Sequence, residues 1–544
     1  MNALSRQAAP ALYPASQSPW WHGATIYQVY PRSFADSNGD GIGDLPGITA
    51  RLDHIASLGV DAVWISPFYP SPMHDYGYDV ADYCDVAPEF GTLADFDALL
   101  TKAHGLGLRV IIDQVYAHTS WDHAWFAQSR TSRNNPRADW YVWADPKADG
   151  TPPNNWQSVF GGPAWTWDAR RGQYYMHNFL NSQPQLNVHN LAVQDALLDA
   201  ARFWLDRGVD GFRLDALNFA MFDPALRDNP PAPPGNRRRS RSFDFQQHKY
   251  NQSQPQILPF LERIRAVMDS YGATFTVAEI GGANPVAEMK AFTHGDARLN
   301  TAYNFAFLYA QDLSPERVVN ALADWPGDAA EGWPSWAFSN HDAPRHLTRW
   351  YAGNDSAAFA KLCLLLLLSL RGNAFLYQGE ELGLPQGEVA YDHLRDPEAI
   401  ANWPLTLGRD GARTPMPWQV HATNAGFSSG TPWLPLDPRH AALAVDAQDA
   451  DPQSVLNFAR AAIALRGGHP ALRRGSLGVV AARGTLLILE RRHDGETLRA
   501  AFNLGDVTVA LAHEPGWQPL LTLNGAEVDS ASLPPLGAWI ARKA

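Results

Sequence analysis

Eight short apolar runs, separated by segments with helical periodicity, place the strongest constraint on the fold of this 544-residue chain. Alternating strand and helix patterns are typical of βαβ units and a parallel sheet. Eight repeats predict an α/β fold, a closed (β/α)8 TIM barrel, and an open doubly wound sheet is the alternative. The predicted strands are residues 26–30, 62–66, 109–115, 209–214, 274–278, 303–307, 335–339 and 374–377.

Two intervals between these strands greatly exceed the about 30 residues of an ordinary barrel unit. One follows the third strand, is rich in Trp, Pro, Gly and Asn, and predicts an inserted subdomain; the other, residues 218–255, is a polar loop after the fourth strand. Strand-like runs after residue 450 predict a C-terminal all-β domain. The predicted division is a flexible leader (1–18), the barrel (19–118 and 189–450), the inserted subdomain B (119–188), and a linking helix with a C-terminal β-sandwich domain (451–544).

Charge and apolar content exclude some classes of partner. The formal net charge of −13 argues against nucleic acid, because phosphate binding needs a basic surface. The most apolar run, residues 362–370, is far shorter than the about 20 residues that span a bilayer, so we expect a buried helix and no membrane partner. Two cysteines, and a leader without a signal-peptide-like apolar segment, predict a cytoplasmic protein.

Three carboxylates follow predicted strands, where a barrel places its catalytic groups. Asp215 follows the fourth strand, Glu279 the fifth and Asp342 the seventh. Arg213 lies two positions before Asp215, so both side chains point to the same face of the strand. Crowded carboxylates cannot all stay ionised, which provides a charged nucleophile beside a protonated acid. A purely structural ion pair of Arg213 with Asp215 is the alternative.

Four segments resemble, in order, the signature regions of the α-amylase family, glycoside hydrolase family 13. They are DQVYAH (113–118), GFRLD (211–215), AE (278–279) and SNHD (339–342). Three more segments are similar to the α-glucosidase and oligo-1,6-glucosidase branch of that family. These are QVYPRSF (28–34), YDVADY (78–83) and RDGARTPMPW (409–418). The resemblance runs from about residue 20 to the C-terminus.

The resemblance implies a retaining glycosidase with Asp215 as nucleophile, Glu279 as acid and base, and Asp342 holding the 2- and 3-hydroxyls of the substrate. Retention requires the two working carboxyl groups to lie about 5–5.5 Å apart. Arg213 would keep Asp215 ionised. The other implied substrate-binding residues are Asp75, Tyr78 and Arg413 around the terminal glucose, His118 and His341 as donors to sugar hydroxyls, and Phe160 and Phe179 in the inserted subdomain.

Several of these residues also have simpler structural explanations. Phe160 and Phe179 could belong to a core, because most aromatic residues in such an insertion do. Arg413 could pair only with Asp410. The carboxylates that we assign to structural hydrogen bonding at the barrel mouth are Asp79, Asp82 and Asp113.

The substrate expected from the resemblance is maltose or a short malto-oligosaccharide, cleaved from its non-reducing end with α-1,4 preference and with some transfer of glucose to alcohol acceptors. In this branch a Val directly after the nucleophile is associated with α-1,6 cleavage, and here the residue is Ala216. One or two methyl groups discriminate by only about 1–3 kcal/mol. The alternatives are an oligo-1,6-glucosidase, a sucrose-active or isomerising member such as sucrose hydrolase or trehalulose synthase, and a non-catalytic binding protein on the same fold.

Residues 36–44, DSNGDGIGD, resemble the start of a calcium-binding loop. The candidate ligands are Asp36, Asn38, Asp40, the backbone carbonyl of Ile42, and Asp44. They predict one structural Ca²⁺, with Mg²⁺ as the alternative ion, and no cofactor is expected for catalysis. The loop lacks the distal Glu of an EF-hand, and a set of local Asp and Gly turns is the other explanation. Ala117 stands where many α-amylases have Asn, so a second calcium site between barrel and insertion is not expected.

Overall fold

The computed structural model describes residues 19–235, 239–272, 274–326, 332–353, 356–406 and 408–544. The predicted leader, residues 1–18, lies outside the described residues. The central unit is a closed barrel of eight parallel strands, which confirms the (β/α)8 prediction over the open sheet. Strands β1 to β8 are, in order, Thr25–Val29, Ala62–Ile65, Arg109–Val115, Gly211–Asp215, Phe275–Ala278, Thr301–Asn304, Trp333–Ala337 and Asn373–Tyr377.

Each strand pairs with its neighbours in the sequence, and β8 closes the barrel by pairing with β1. Alternate residues of a strand enter two different cores, as the two-residue strand period requires. Ile26 and Trp64 belong to the core that fills the barrel, whereas Tyr27 and Val63 belong to the core between strands and helices. The filled barrel supports a mouth at the carboxyl ends of the strands.

Two strands begin two residues earlier than predicted. We expected the seventh to start at Ser335, but β7 includes Trp333 and Pro334, and Pro334 pairs with Ala302 of β6. Proline lacks an N–H and reads as a strand breaker, although the pairing in this barrel accommodates it. In β6 the polar Thr301 was excluded from the prediction, yet it is buried and its hydroxyl donates to the Trp333 carbonyl.

Helices alternate with the barrel strands. The eight main helices, α1 to α8, are Leu45–Ser57, Leu93–Gly105, Leu191–Asp206, Leu258–Ser270, Pro285–Thr293, Pro315–Asp324, Ser356–Ser369 and Val455–Gly468. Shorter α-helices are Ala124–Ser129, His346–Trp350, Pro397–Asn402, Pro438–Ala441, Val445–Ala450 and Pro470–Arg474. Single 3-10 turns are Pro31–Ser33, Leu217–Phe219, Ser242–Phe245, Pro255–Ile257, Tyr391–His393, Asp410–Ala412 and Thr423–Gly426.

Local sequence explains why the helices begin where they do. Asp44 caps α1 by accepting a hydrogen bond from the Gly47 N–H, and Thr92 caps α2 in a capping box with Asp95. The apolar run at residues 362–370 lies in α7, which packs against α8 and the C-terminal sheet and is buried on most of its surface. In the described part of the chain, no helix combines the length and apolarity needed to cross a membrane.

A three-stranded antiparallel sheet lies between β3 and α3, in the predicted insertion. Its strands are Trp143–Ala144, Trp165–Asp168 and Gln173–Met176, with the last in the centre. Its core includes Trp156 and also Phe222, which comes from the loop after β4. The insertion and that loop therefore form one wall beside the barrel mouth.

The C-terminal part is an all-β domain with two antiparallel sheets, as predicted. The larger sheet contains Ser476–Arg483, Leu486–His493, Glu496–Asn503, Ala538–Lys543 and Trp517–Leu523, and the smaller contains Val509–Ala510 and Ser532–Leu533. Arg491 connects this domain to the barrel by donating to the carbonyl of Ser369 at the end of α7. The exact division of the chain at residues 118, 188 and 450 stays a prediction.

Candidate active site

Three acidic side chains lie together at the carboxyl ends of barrel strands. Asp215 is the last residue of β4, Glu279 directly follows β5, and Asp342 lies in the turn after β7. Nη1 of Arg213 lies 2.5 Å from Asp215 Oδ1, and Nη2 lies 2.8 Å from Glu279 Oε2. Because two nitrogens of one guanidinium hold both carboxyl groups, Asp215 and Glu279 lie side by side.

Arg213 is almost completely buried and is shared among three carboxylates, because its Nη1 also donates to Asp113 Oδ1 at 2.7 Å. Burial raises the pKa of Asp215 to about 7, opposed by Arg213 and reinforced by Asp113. Burial also raises the pKa of Glu279 to about 7, again opposed by Arg213. Arg213 alone therefore does not keep Asp215 fully ionised, since one cation compensates only part of three negative charges. The Asp215–Glu279 pair retains a proton close to neutral pH.

Asp342 has the opposite electrostatic environment. Its Oδ1 accepts from Arg413 Nη2 at 2.7 Å and lies 3.5 Å from Arg409 Nη1. Burial tends to raise the pKa of Asp342, but His341, Arg413 and Arg409 outweigh it and hold that pKa below its ordinary value. Asp342 is therefore a carboxylate at neutral pH. Arg413 pairs with it and not with Asp410, whose carboxylate accepts from two backbone N–H groups.

Ala216, directly after the nucleophile candidate, adopts a left-handed backbone conformation with φ of 38°. This region is uncommon for residues other than glycine, and such strain is concentrated at functional sites. The conformation directs the Ala216 N–H to Glu279 Oε2 at 3.1 Å. The turn after β4 thus helps to orient the neighbouring carboxyl group.

Asp75 is held by two residues that were not among the predicted site residues. Its Oδ1 accepts from Arg409 Nη2 at 2.8 Å, and its Oδ2 accepts from Gln183 Nε2 at 3.0 Å. Arg409 also approaches Asp342, so it connects two of the predicted residues. The sequence signal for Arg409 was its position four residues before Arg413 in the RDGART segment. No sequence signal pointed to Gln183.

His118, Phe160 and Phe179 come together from separate segments. The ring centroids of His118 and Phe179 are 5.1 Å apart, those of Phe160 and Phe179 are 6.0 Å apart, and the Arg409 guanidinium lies 5.2 Å from the Phe160 ring. Both Phe rings are partly exposed and lie outside the core of the inserted sheet. Burial lowers the pKa of His118 to about 4, so this ring is neutral and its Nε2 hydrogen donates to the Tyr78 carbonyl at 3.1 Å.

Tyr78 and His341 are stacked on each other, with ring centroids 5.3 Å apart and planes inclined by 10°. The Tyr78 hydroxyl lies 2.5 Å from His341 Nε2, and His341 is fully buried. All eleven predicted catalytic and substrate-binding residues thus belong to one connected group. Asp79 accepts from Ser71 and from the backbone, in keeping with the structural role expected for it.

The predicted metal-binding residues form a second group, in the loop that leads into α1. Asp36 accepts from the backbone of Gly39 at 2.7 Å and of Gly41 at 2.8 Å, while Asp44 accepts from Ser37 and caps α1. Asn38 Oδ1 and Asp40 Oδ1 each accept from the backbone two residues later. Among the described residues, no three His, Cys, Asp or Glu side chains are grouped as metal ligands. The donors of this loop are all oxygens, a set that fits only a hard cation.

Comparisons with known proteins agree with this geometry. Residues 28–475 match the family model described as the α-amylase catalytic domain. The chain is 52% identical to a probable α-glucosidase of Rhizobium meliloti (strain 1021), over 96% of this chain and 97% of the relative. It is 37% identical to an oligo-1,6-glucosidase of Heyndrickxia coagulans, over 92% of this chain and 95% of the relative.

Solved structures show the same relationship. The α-glucosyl transfer enzyme XgtA has a TM-score of 0.93 and 51% sequence identity, covering 97% of this chain and 100% of that chain. The trehalulose synthase MutB of Pseudomonas mesoacidophila MX-45 has a TM-score of 0.87 and 31% identity, covering 96% of this chain and 99% of that chain. With the closed barrel and its strand-end carboxylates, these similarities show that the chain belongs to the α-amylase family, glycoside hydrolase family 13, and is an enzyme of the glycoside hydrolase and glycosyl-transfer type.

Proposed function

We propose that the protein is a retaining exo-α-glucosidase. It releases one glucose from the non-reducing end of maltose and short malto-oligosaccharides, with α-1,4 preference, and transfers part of that glucose to alcohol acceptors. The observation that carries this proposal is the position of Arg213 between Asp215 and Glu279, which keeps two carboxyl groups and one proton together at the barrel mouth.

The arrangement supports a double displacement. In the first step an oxygen of Asp215 attacks C1 of the terminal glucose while Glu279 gives its proton to the glycosidic oxygen, so the C1–oxygen bond breaks and the leaving sugar departs as an alcohol. In the second step Glu279 takes a proton from water or from an acceptor alcohol, whose oxygen attacks C1 and releases Asp215. Two inversions at C1 give net retention. Interception of the ester by an alcohol is transglucosylation.

Two further contacts support cleavage at a chain end. The Arg409–Asp75 ion pair joins the loop after β2 to the segment after β8, and Arg409 also lies 3.5 Å from Asp342, which favours a pocket over an open cleft. The insertion is joined to the loop after β4 by hydrogen bonds from Asn155 to Asn229 and from Trp156 to the Arg227 carbonyl. A wall of this kind favours short substrates over polymers.

A substrate comparison distinguishes this proposal from its main rival. The similarity to a trehalulose synthase favours a sucrose-active enzyme as the second candidate. We expect kcat/KM to be highest for maltose, lower for isomaltose and lower still for sucrose when all three are assayed under the same conditions. Adding a phenolic alcohol to the maltose reaction should yield its α-glucoside. Sucrose turned over well ahead of maltose would contradict the α-glucosidase proposal.

We also propose that the loop at residues 36–44 holds one structural hard cation, with Ca²⁺ favoured over Mg²⁺. Asp36, Asp40 and Asp44 supply carboxylates, while Asn38 and the carbonyl of Ile42 complete an all-oxygen donor set. An ion that binds only the folded protein stabilises it by mass action. Chelation with EDTA should therefore lower the melting temperature, by about 2–5 °C on usual scaling, and added Ca²⁺ should restore it.

Variants locate this effect in the loop. Asp40→Ala removes one exposed carboxylate whose own hydrogen bond is local, so it should abolish the response to EDTA. Asp149→Ala is the matched control, because Asp149 is also exposed and accepts only within its own turn. An EDTA response that persists in Asp40→Ala would refute the proposed site.

A further inference from the structure

A hydrogen-bonded chain runs beneath the substrate side of the active site and begins at Gln28 on β1. Gln28 Nε2 lies 2.8 Å from His341 Nδ1 and 3.2 Å from Ser66 Oγ, and Gln28 and Ser66 are both buried. His341 Nε2 lies 2.5 Å from the Tyr78 hydroxyl, which lies 3.4 Å from Asp113 Oδ2. The direction of donation along this chain depends on which nitrogen of His341 carries the hydrogen.

The ionised Asp342 favours a hydrogen on Nε2 of His341. His341 Nε2 lies 3.2 Å from Asp342 Oδ2, and an ionised carboxylate can only accept. The ion pairs with Arg413 and Arg409 keep Asp342 ionised. His341 is fully buried, and burial lowers its pKa to about 3, so the ring is neutral and has one N–H. That N–H is at Nε2, so Nδ1 has only a lone pair and needs a hydrogen-bond donor.

We propose that Gln28 is a positioning residue, whose carboxamide N–H donates to Nδ1 and thereby fixes His341 in the Nε2–H tautomer. The hydrogen of Nε2 is then directed at the Tyr78 hydroxyl, with Asp342 Oδ2 3.2 Å from the same nitrogen. Tyr78 in turn donates towards Asp113, the carboxylate that shares Arg213 with Asp215. One amide on β1 therefore sets the donor direction through His341, in the turn after β7, and Tyr78, in the loop after β2, towards Asp113 on β3.

Packing against two tyrosine rings fixes the orientation of the His341 imidazole. Tyr78 stacks on one side of His341 at 10°, and the Tyr30 ring is stacked with it at 22° and 5.6 Å between centroids. The imidazole plane is held by these rings, so the partners of Nδ1 and Nε2, and not a rotation of the ring, select the protonated nitrogen. The function of this orientation rests on the α-glucosidase proposal, in which Asp342 holds the hydroxyls of the sugar during catalysis.

The first measurement needs no variant at Gln28. Long-range ¹H–¹⁵N correlation spectra of the ¹⁵N-labelled protein should show an unprotonated Nδ1 and a protonated Nε2 for His341, with signals assigned by their loss in His341→Asn. A protonated Nδ1 in the unmodified protein overturns the proposal. This result does not depend on which substrate the enzyme prefers. The spectra therefore test the tautomer of His341 even if the proposed function is wrong.

The second measurement removes the donor. Gln28→Met preserves the side-chain length, and we expect kcat, normalised to titrated active sites, to fall about 10- to 100-fold with KM changed less than about threefold. The His341 signals should shift to a mixture of tautomers. Unchanged kcat and unchanged tautomer in a folded Gln28→Met protein overturn the proposal. If maltose is not a substrate, kcat of Gln28→Met and of the unmodified protein can be compared with an aryl α-glucoside instead.

Two further variants test specificity. Gln114→Met is the matched control, because Gln114 is also a fully buried glutamine on a barrel strand, but its Nε2 donates to the Tyr69 hydroxyl at 2.9 Å. It should leave kcat within about twofold and the His341 tautomer unchanged. Ser66→Ala removes the other contact of the Gln28 amide and should lower kcat by less than about threefold, with the tautomer retained. A tautomer change in Gln114→Met equal to that of Gln28→Met would overturn the assignment.

Discussion

Replacement of Asp215 by Asn is expected to reduce maltose turnover by about 10⁴-fold or more, the scale on which removal of a catalytic nucleophile acts. The amide keeps the shape of the carboxylate but cannot form a stable glucosyl ester. The melting temperature should stay close to that of the unmodified protein, because the substitution removes one of the three carboxylates that crowd Arg213. Turnover and thermal unfolding measured on the same preparation check both parts.

Asp113→Asn is the matched control for this experiment. Asp113 is equally buried and contacts the same nitrogen of Arg213, but it is not adjacent to the reacting carbon in the proposed mechanism. We expect a much smaller loss of turnover, together with a shift of the pH profile to lower pH, because Asp113 contributes to the raised pKa of Asp215. Near-normal turnover in Asp215→Asn would remove Asp215 as the nucleophile.

Replacement of Glu279 by Gln is expected to lower maltose turnover by about 10²- to 10⁴-fold and to abolish the alkaline limb of the pH profile. The pKa of Glu279 is raised to about 7, and the acid must be protonated to assist departure of the leaving sugar. The activity of the unmodified enzyme should therefore be lost on the alkaline side as the pH rises through about 7. An aryl α-glucoside, whose leaving group needs little protonation, should lose much less activity.

Glu288→Gln separates this effect from titration elsewhere. Burial also raises the pKa of Glu288 to about 7, and its carboxylate accepts from Ser253 on the loop after β4. We expect Glu288→Gln to keep the alkaline limb of kcat/KM, measured for maltose across the pH range. If the alkaline limb disappears in Glu288→Gln and persists in Glu279→Gln, the acid has been assigned to the wrong residue.

The barrel and its three carboxylates were predictable because they depend on local patterns. Strand periodicity located all eight strands. Because parallel strands present their carboxyl ends at one mouth of the barrel, the sequence predicts that Asp215, Glu279 and Asp342 lie together there. The errors lay at the ends of strands, as with Pro334, which β7 includes although proline is typical of strand breaks.

The finer structure of the site could not be predicted, because it depends on contacts between distant segments. Arg409 lies 334 positions from Asp75, and nothing in either segment specifies their pairing. The competition of three carboxylates for Arg213 likewise requires the position of Asp113. The resemblance to a family supplied residue roles, but it did not specify the contact between Gln28 and His341, which lie 313 positions apart in the chain.

In the proposed mechanism, the shared position of Arg213 also means that the acidity of the site changes during each turnover. Once Asp215 is esterified it carries no charge, so the repulsion that raises the pKa of Glu279 weakens while the guanidinium continues to favour the ionised form. Glu279 is therefore ionised, and able to accept a proton, at the moment when the incoming water or alcohol must lose one. Hydrolysis of the ester restores the negative charge of Asp215 and raises the pKa of Glu279 again. Formation and hydrolysis of the covalent intermediate thus switch Glu279 between its base and acid forms.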